Sequence, residues 1–122
     1  MTIPLTAEEF FSGNPLGLAV LGRVSGLLED WGDVETRTTK SQVAFRRRRG
    51  FAYLWVPGMY LARPAADVVL TIALGRLLPS PRFKEVVHPT RLHWMHHLEV
   101  RTLEDIDDDV AAWLREAAER AG

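Results

Sequence analysis

The chain has 122 residues, 47% hydrophobic and 25% charged, the size and composition of one globular domain spanning residues 1–122 that buries a core without staples. Fifteen basic residues nearly cancel sixteen acidic ones and cysteine is absent, which excludes global steering toward nucleic acid or anionic lipid, disulfides and thiolate chemistry. The opening "MTIPLTAEEF" has neither a basic start nor an apolar core, and no later run approaches the roughly 20 apolar residues of a membrane helix, so a cytoplasmic protein with no membrane partner is expected.

Thr6-Ala-Glu-Glu9 has capping-box spacing, with Leu5 and Phe10 placed as a hydrophobic staple, and predicts a short helix from about residue 6. Asn14-Pro15 then reads as a new N-cap followed by proline at the first helical position. Leu16, Val20, Val24, Leu27, Leu28 and Trp31 recur at helical spacing, and Gly22 and Gly26, one turn apart, suggest close packing of this second helix. Trp31-Gly32-Asp33 ends it.

From Val34 the period changes. "VETRTT", "QVAFRR", "FAYLWV" and "DVVLTIAL" read as an antiparallel meander, with "PGMYLARPAAD" as a connection. The span "GRLLPSPRFKEVVHPTRLH" holds three prolines and no clean period, so a loop is expected, with one helical turn near Phe83 to Val87. "WMHHLEV" reads as a final strand, and Thr102-Leu-Glu-Asp105 as a capping-box variant opening a last helix with a stripe of Ile106, Val110, Trp113, Leu114 and Ala117. The expected fold class is α+β: an antiparallel β-sheet of about five strands with two N-terminal helices and one C-terminal helix, mostly on one face.

"RRRRGFAYLWV" carries the main candidate site. Arg49 to Val56 satisfies every position but the last of the RNA-recognition-motif octamer. That fold, however, begins with a strand bearing a second aromatic motif, and here two helices come first. Alternation places Phe51, Tyr53 and Trp55 on one strand face and Ala52, Leu54 and Val56 on the other. The aromatics form either a second core layer under the proline-rich loop, which is the favoured reading, or an open platform. The same alternation points Arg46 and Arg48 one way and Arg47 the other. The four arginines make either a solvated hairpin tip answered by the acidic start of the last helix, again favoured, or an anion site.

His88, His93, His96 and His97 lie within ten residues, but a strand sends His96 and His97 to opposite faces, and no zinc-binding spacing is present. A half-buried histidine bonded within the sheet is favoured over a metal site, for which His93, His97 and Glu99 are the least poor ligands. No metal and no cofactor is assigned. No nucleophile elbow, phosphate loop, dinucleotide fingerprint or nuclease carboxylate pair occurs, which weighs against an enzyme without deciding the matter.

"TKSQVAFRRRRGFAYLWVPG", "SPRFKEVV" and "WMHHLEVRTLEDIDDDVAAWLREA" resemble the bacterial domain of unknown function 5655 (DUF5655), over nearly the whole chain. More distantly, the chain is similar to the YdhG-like proteins (DUF1801). The first resemblance implies a small bacterial α+β domain without catalytic residues to carry over.

The residues therefore favour a non-catalytic binding module in which Lys40, Gln42, Arg46, Arg47, Arg48, Arg49, Tyr53, Trp55, His93 and His97 receive an anionic small molecule or an acidic protein segment. A nucleic-acid binder using the arginine hairpin and its aromatics is a less favoured alternative, and an enzyme using histidine and arginine a third. The sequence leaves the oligomeric state open.

Overall fold

Thr6 caps the first helix as its spacing predicts: its hydroxyl accepts from the Glu9 amide at 3.0 Å while the Glu9 carboxylate accepts from the Thr6 amide at 3.1 Å. The computed structural model describes residues 5–59, 62 and 66–122. Most of the centre of the connection expected over 57–67, like the first four residues, lies outside the described residues. Helix α1 spans Ala7–Phe10 and α2 spans Pro15–Glu29, where the Asn14 side chain accepts from the Gly17 amide and Pro15 takes the first position. Gly32 and Asp33, with φ of 62° and 54°, turn the chain out of α2 toward the sheet; glycine adopts that left-handed backbone freely and aspartate tolerates it.

Close packing of α2 falls on a different glycine from the two expected. Gly22 and Gly26 face open space, whereas a Cβ on Gly17 would lie 2.3 Å from the Phe11 ring. Phe11 is fully buried, so the tight contact is where the α1–α2 corner folds back on itself.

Among the described residues six strands follow, one more than expected: β1 Glu35–Thr38, β2 Val43–Arg46, β3 Gly50–Trp55, β4 Val68–Leu74, β5 Glu85–Thr90 and β6 His93–Val100. They pair antiparallel in the order β1-β2-β3-β4-β6-β5. The additional strand is β5, where a loop with a helical turn was expected. As an edge strand it pairs on one side alone and is largely exposed, so it carries Pro89 and has no clean apolar period. Helix α3 spans Asp108–Ala121 and is capped by Asp107, whose side chain accepts from the Val110 amide. The Thr102 box that was expected to open this helix closes a separate 3₁₀ turn, Leu103–Asp105.

Helices α1, α2 and α3 lie toward one face of the sheet. Val20, Val24 and Leu28 of α2 and Val110 and Leu114 of α3 share one buried cluster with Phe45, Leu54, Leu70, Ile72, Leu98 and Val100 of the strands. A β-bulge sharpens this division. Phe45 pairs with Ala52 but Arg46 with Gly50, so Phe51 is the extra residue. Strict alternation would have placed Phe51 beside Tyr53 and Trp55; the bulge instead sends it into the core, where it is 1% exposed.

The proline-rich segment stays on the helix side. The Leu78 amide donates to His96 Nε2 at 3.0 Å, and Arg82 donates to both Asp107 oxygens at 3.2 and 3.1 Å and to the Asp105 carbonyl at 2.8 Å. Phe83 packs against the rings of His96 and Trp113, with centroids 4.9 and 5.1 Å away. These anchors draw residues 76–83 away from the opposite sheet face.

Candidate functional site

With the proline-rich segment held on the helix side, the other face carries an open groove of about 790 Å³. Tyr53 and Trp55, both half-buried, therefore line this groove, and the proline-rich segment expected to cover them as a second core layer does not do so. The floor comes from three adjacent strands: Tyr53 and Trp55 of β3, Val69 and Thr71 of β4, Met95 and His97 of β6. Ser41 and Gln42 of the β1–β2 turn and Pro57 form one wall, and Lys84 and Glu85 the other.

Register explains why these side chains meet. Tyr53 pairs with Thr71, Thr71 with His97, and His97 with Glu85. One row thus crosses four strands, and directly opposed residues in an antiparallel sheet project from the same face. From the neighbouring row, where it pairs with Val69, Trp55 donates its indole Nε1–H to Thr71 Oγ1 at 2.8 Å, and that oxygen lies 2.7 Å from His97 Nδ1. The Trp55 and His97 rings also meet edge-to-face, 5.8 Å apart at 84°. His97 is held in place from two directions.

Burial pushes the His97 pKa below its ordinary value; Glu85, facing it, draws it up, and His96 pushes it further down. The Tyr53 phenol is pushed up by burial, against the lowering effect of Arg46. Glu99 on the same face is bound by Lys84 at 3.5 Å and Arg101 at 3.3 Å. Thr71 is the hydroxyl bonded to His97, yet it is 2% exposed and already accepts from Trp55, a poor position for a nucleophile. Among the described residues, no three histidine, aspartate or glutamate side chains group as metal ligands would.

Of the residues singled out in the sequence, Gln42, Tyr53, Trp55 and His97 are brought together in the groove. Arg46 pairs with Gly50, over which the Tyr53 hydroxyl folds, and so borders the groove at that end. Arg47 points to the helices, donating to the carbonyls of Ala118 and Trp31 at 3.1 Å each. Arg48 and Arg49 are exposed at the bend, and the Arg48 amide donates to the Ala121 carbonyl. The arginine bend thus meets the C-terminal end of α3; the acidic start, expected to answer it, lies at the other end of that helix. Lys40 is exposed in the β1–β2 turn and His93 bonds Thr90 at 2.7 Å in the β5–β6 turn; neither lines the groove.

His96 and His97 face opposite ways, as strand alternation predicts. His96 is fully buried: its Nδ1 lies 3.0 Å from the Trp94 carbonyl and 3.3 Å from that of Ile72, while Nε2 accepts from Leu78. Sequence reasoning missed seven of the described lining residues, Lys84, Glu85 and Thr71 among them, and Thr71 is the one bonded to both rings. Its signal was there: it is the lone polar residue in "VVLTIAL".

Among the described residues, no helix is long and apolar enough to cross a membrane. No curated protein and no solved structure shows significant similarity to the chain. A family model described as a domain of unknown function, DUF5655, matches residues 7–120. That match covers every strand and all but the last residue of α3, so the chain belongs to the DUF5655 family.

Proposed function

We propose that the groove receives a small, flat organic acid and that the protein is a non-catalytic binding module. The observation carrying this reading is the row Tyr53–Thr71–His97–Glu85, running across the floor to the wall of an approximately 790 Å³ groove, a size within the usual range for small-molecule sites. Tyr53, Trp55, Val69 and Met95 offer apolar and aromatic surface to a flat body, while His97, Gln42 and Lys84 place polar groups around it. Arg46 adds positive charge at the Tyr53 end. An acidic protein segment or nucleic acid would draw on the arginine bend, but Arg47 is committed to the helices.

A panel of benzoate, naphthoate and indole carboxylates, followed by NMR shifts and thermal melting, tests the reading. Saturable binding with shifts centred on Tyr53, Trp55, Met95 and His97, lost in Trp55→Ala, is expected. Absence of saturable binding across the panel, or binding undisturbed by Trp55→Ala, overturns it. Binding to phosphate polymers that collapses with added salt and requires Arg48 and Arg49 would establish a nucleic-acid reading in its place.

A further inference from the structure

Thr71 sits in β4, every residue of which is buried, and its hydroxyl stands between two ring nitrogens. The indole nitrogen of Trp55 is always a donor, so at 2.8 Å it occupies one lone pair of Thr71 Oγ1. The hydroxyl's own hydrogen then needs an acceptor, and His97 Nδ1 stands 2.7 Å away. Were Nδ1 protonated, Thr71 would face two donors and its hydrogen would be stranded in a buried site, which is costly. The donor direction therefore runs from Trp55 to Thr71 to His97, and neutral His97 carries its proton on Nε2. Among the described residues no hydrogen bond engages Nε2, and the His97 side chain lines the groove.

We infer that this relay fixes His97 as an Nε2–H donor, so that the groove recognises a carboxylate or carbonyl oxygen and rejects ligands presenting only hydrogen-bond donors there. The inference rests on the binding reading above and names the group that the ligand must bring. Thr71 becomes the positioning residue for that selectivity: it touches no ligand but dictates which nitrogen of His97 offers hydrogen. Of the charged groups around His97, Glu85 opposite it on β5 is the competing acceptor, Lys84 is drawn toward Glu99, and His96 faces the core.

The experiment joins a tautomer measurement to a selectivity ratio. Long-range ¹H–¹⁵N spectra of the labelled protein should show His97 Nδ1 bare and Nε2 protonated. The wild type should bind benzoate at least about tenfold more tightly than aniline, roughly the worth of one charge-assisted hydrogen bond. Thr71→Val removes the hydroxyl at similar volume and should mix the tautomers and narrow that ratio to about threefold or less. Trp55→Phe keeps a ring while removing the first donor, and should shift the tautomer balance the same way if Thr71→Val does not fold. Benzoate binding with a protonated Nδ1, or an unchanged ratio in a folded variant with mixed tautomers, overturns this inference and leaves the binding reading standing. No saturable binding of either compound or of the wider acid panel overturns both.

Discussion

The guanidinium of Arg47 donates to the carbonyl of Ala118 at 3.1 Å, tying the middle of an arginine run to the last turn of α3. Its other terminal nitrogen reaches the Trp31 carbonyl beyond α2 at 3.1 Å, so one side chain joins the ends of two helices. Cations suit helix C-termini, where carbonyls lack partners. Arg47→Met keeps the apolar stem but strips both carbonyls of their donor, and should lower stability by about 2 kcal/mol. Arg47 Nε is buried and, among the described residues, without a partner, so its removal offsets part of the loss. Arg48→Ala, whose anchor is a backbone amide, should stay within about 0.5 kcal/mol of wild type. Urea denaturation of both variants decides this; equal losses would sink the assignment.

Two glycines in one helix should respond to alanine with opposite signs. Gly17→Ala places a methyl where the buried Phe11 ring lies, at 2.3 Å, and should cost about 1–3 kcal/mol through overpacking. Gly22→Ala meets nothing within 4 Å and should stabilise by about 0.4–1 kcal/mol, because alanine restricts the unfolded chain and favours the helix. Melting curves for the pair suffice, and a stabilising Gly17→Ala would refute the packing at this corner.

Stability should fall as pH drops below the ordinary histidine pKa of about 6.5. Burial depresses both His96 and His97. For His96 the bonds to Ile72 and Trp94 oppose burial, with Arg76 lowering and Glu116 raising the pKa. A histidine depressed in the folded state binds fewer protons there than in the unfolded chain. Its contribution is therefore present above the unfolded pKa and is lost as pH falls through the folded one. The urea midpoint should be lower at pH 5.5 than at pH 7.5, and His97→Gln should reduce the difference. A midpoint that rises on acidification contradicts the burial of both rings.

Much of the scaffold was legible because its signals are local. Thr6, Asn14 and Pro15 act within one turn of themselves, and the alternation of "WMHHLEV" separates His96 from His97 without knowledge of neighbouring strands. What escaped depends on partners distant in sequence. Nothing local in "EVVHPT" marks an edge strand, because its pairing with β6 tolerates Pro89 and exposed side chains. The bulge at Phe51 follows from how β3 meets β2, so alternation counted along one strand misplaces that ring. Alternation already separates Arg46 from Arg47, but that Arg47 ends on the carbonyls of Ala118 and Trp31 depends on helices distant from it in sequence. Of the eleven described residues lining the groove, four were among those singled out in the sequence: Gln42, Tyr53, Trp55 and His97. Its organising residue, Thr71, acquires meaning when β4 is laid between β3 and β6.

The position of β4 has a dynamic consequence. Hydrogen-bonded on both edges and covered along its length, its amides should be among the slowest to exchange with solvent, while those of edge strand β5 open by local fraying. The groove should therefore combine a rigid floor with a rim at Lys84 and Glu85, on the edge strand, that opens more readily. If the groove binds a ligand as proposed, ordering the floor would add little entropic cost, and differences in ligand shape would be absorbed at the β5 edge.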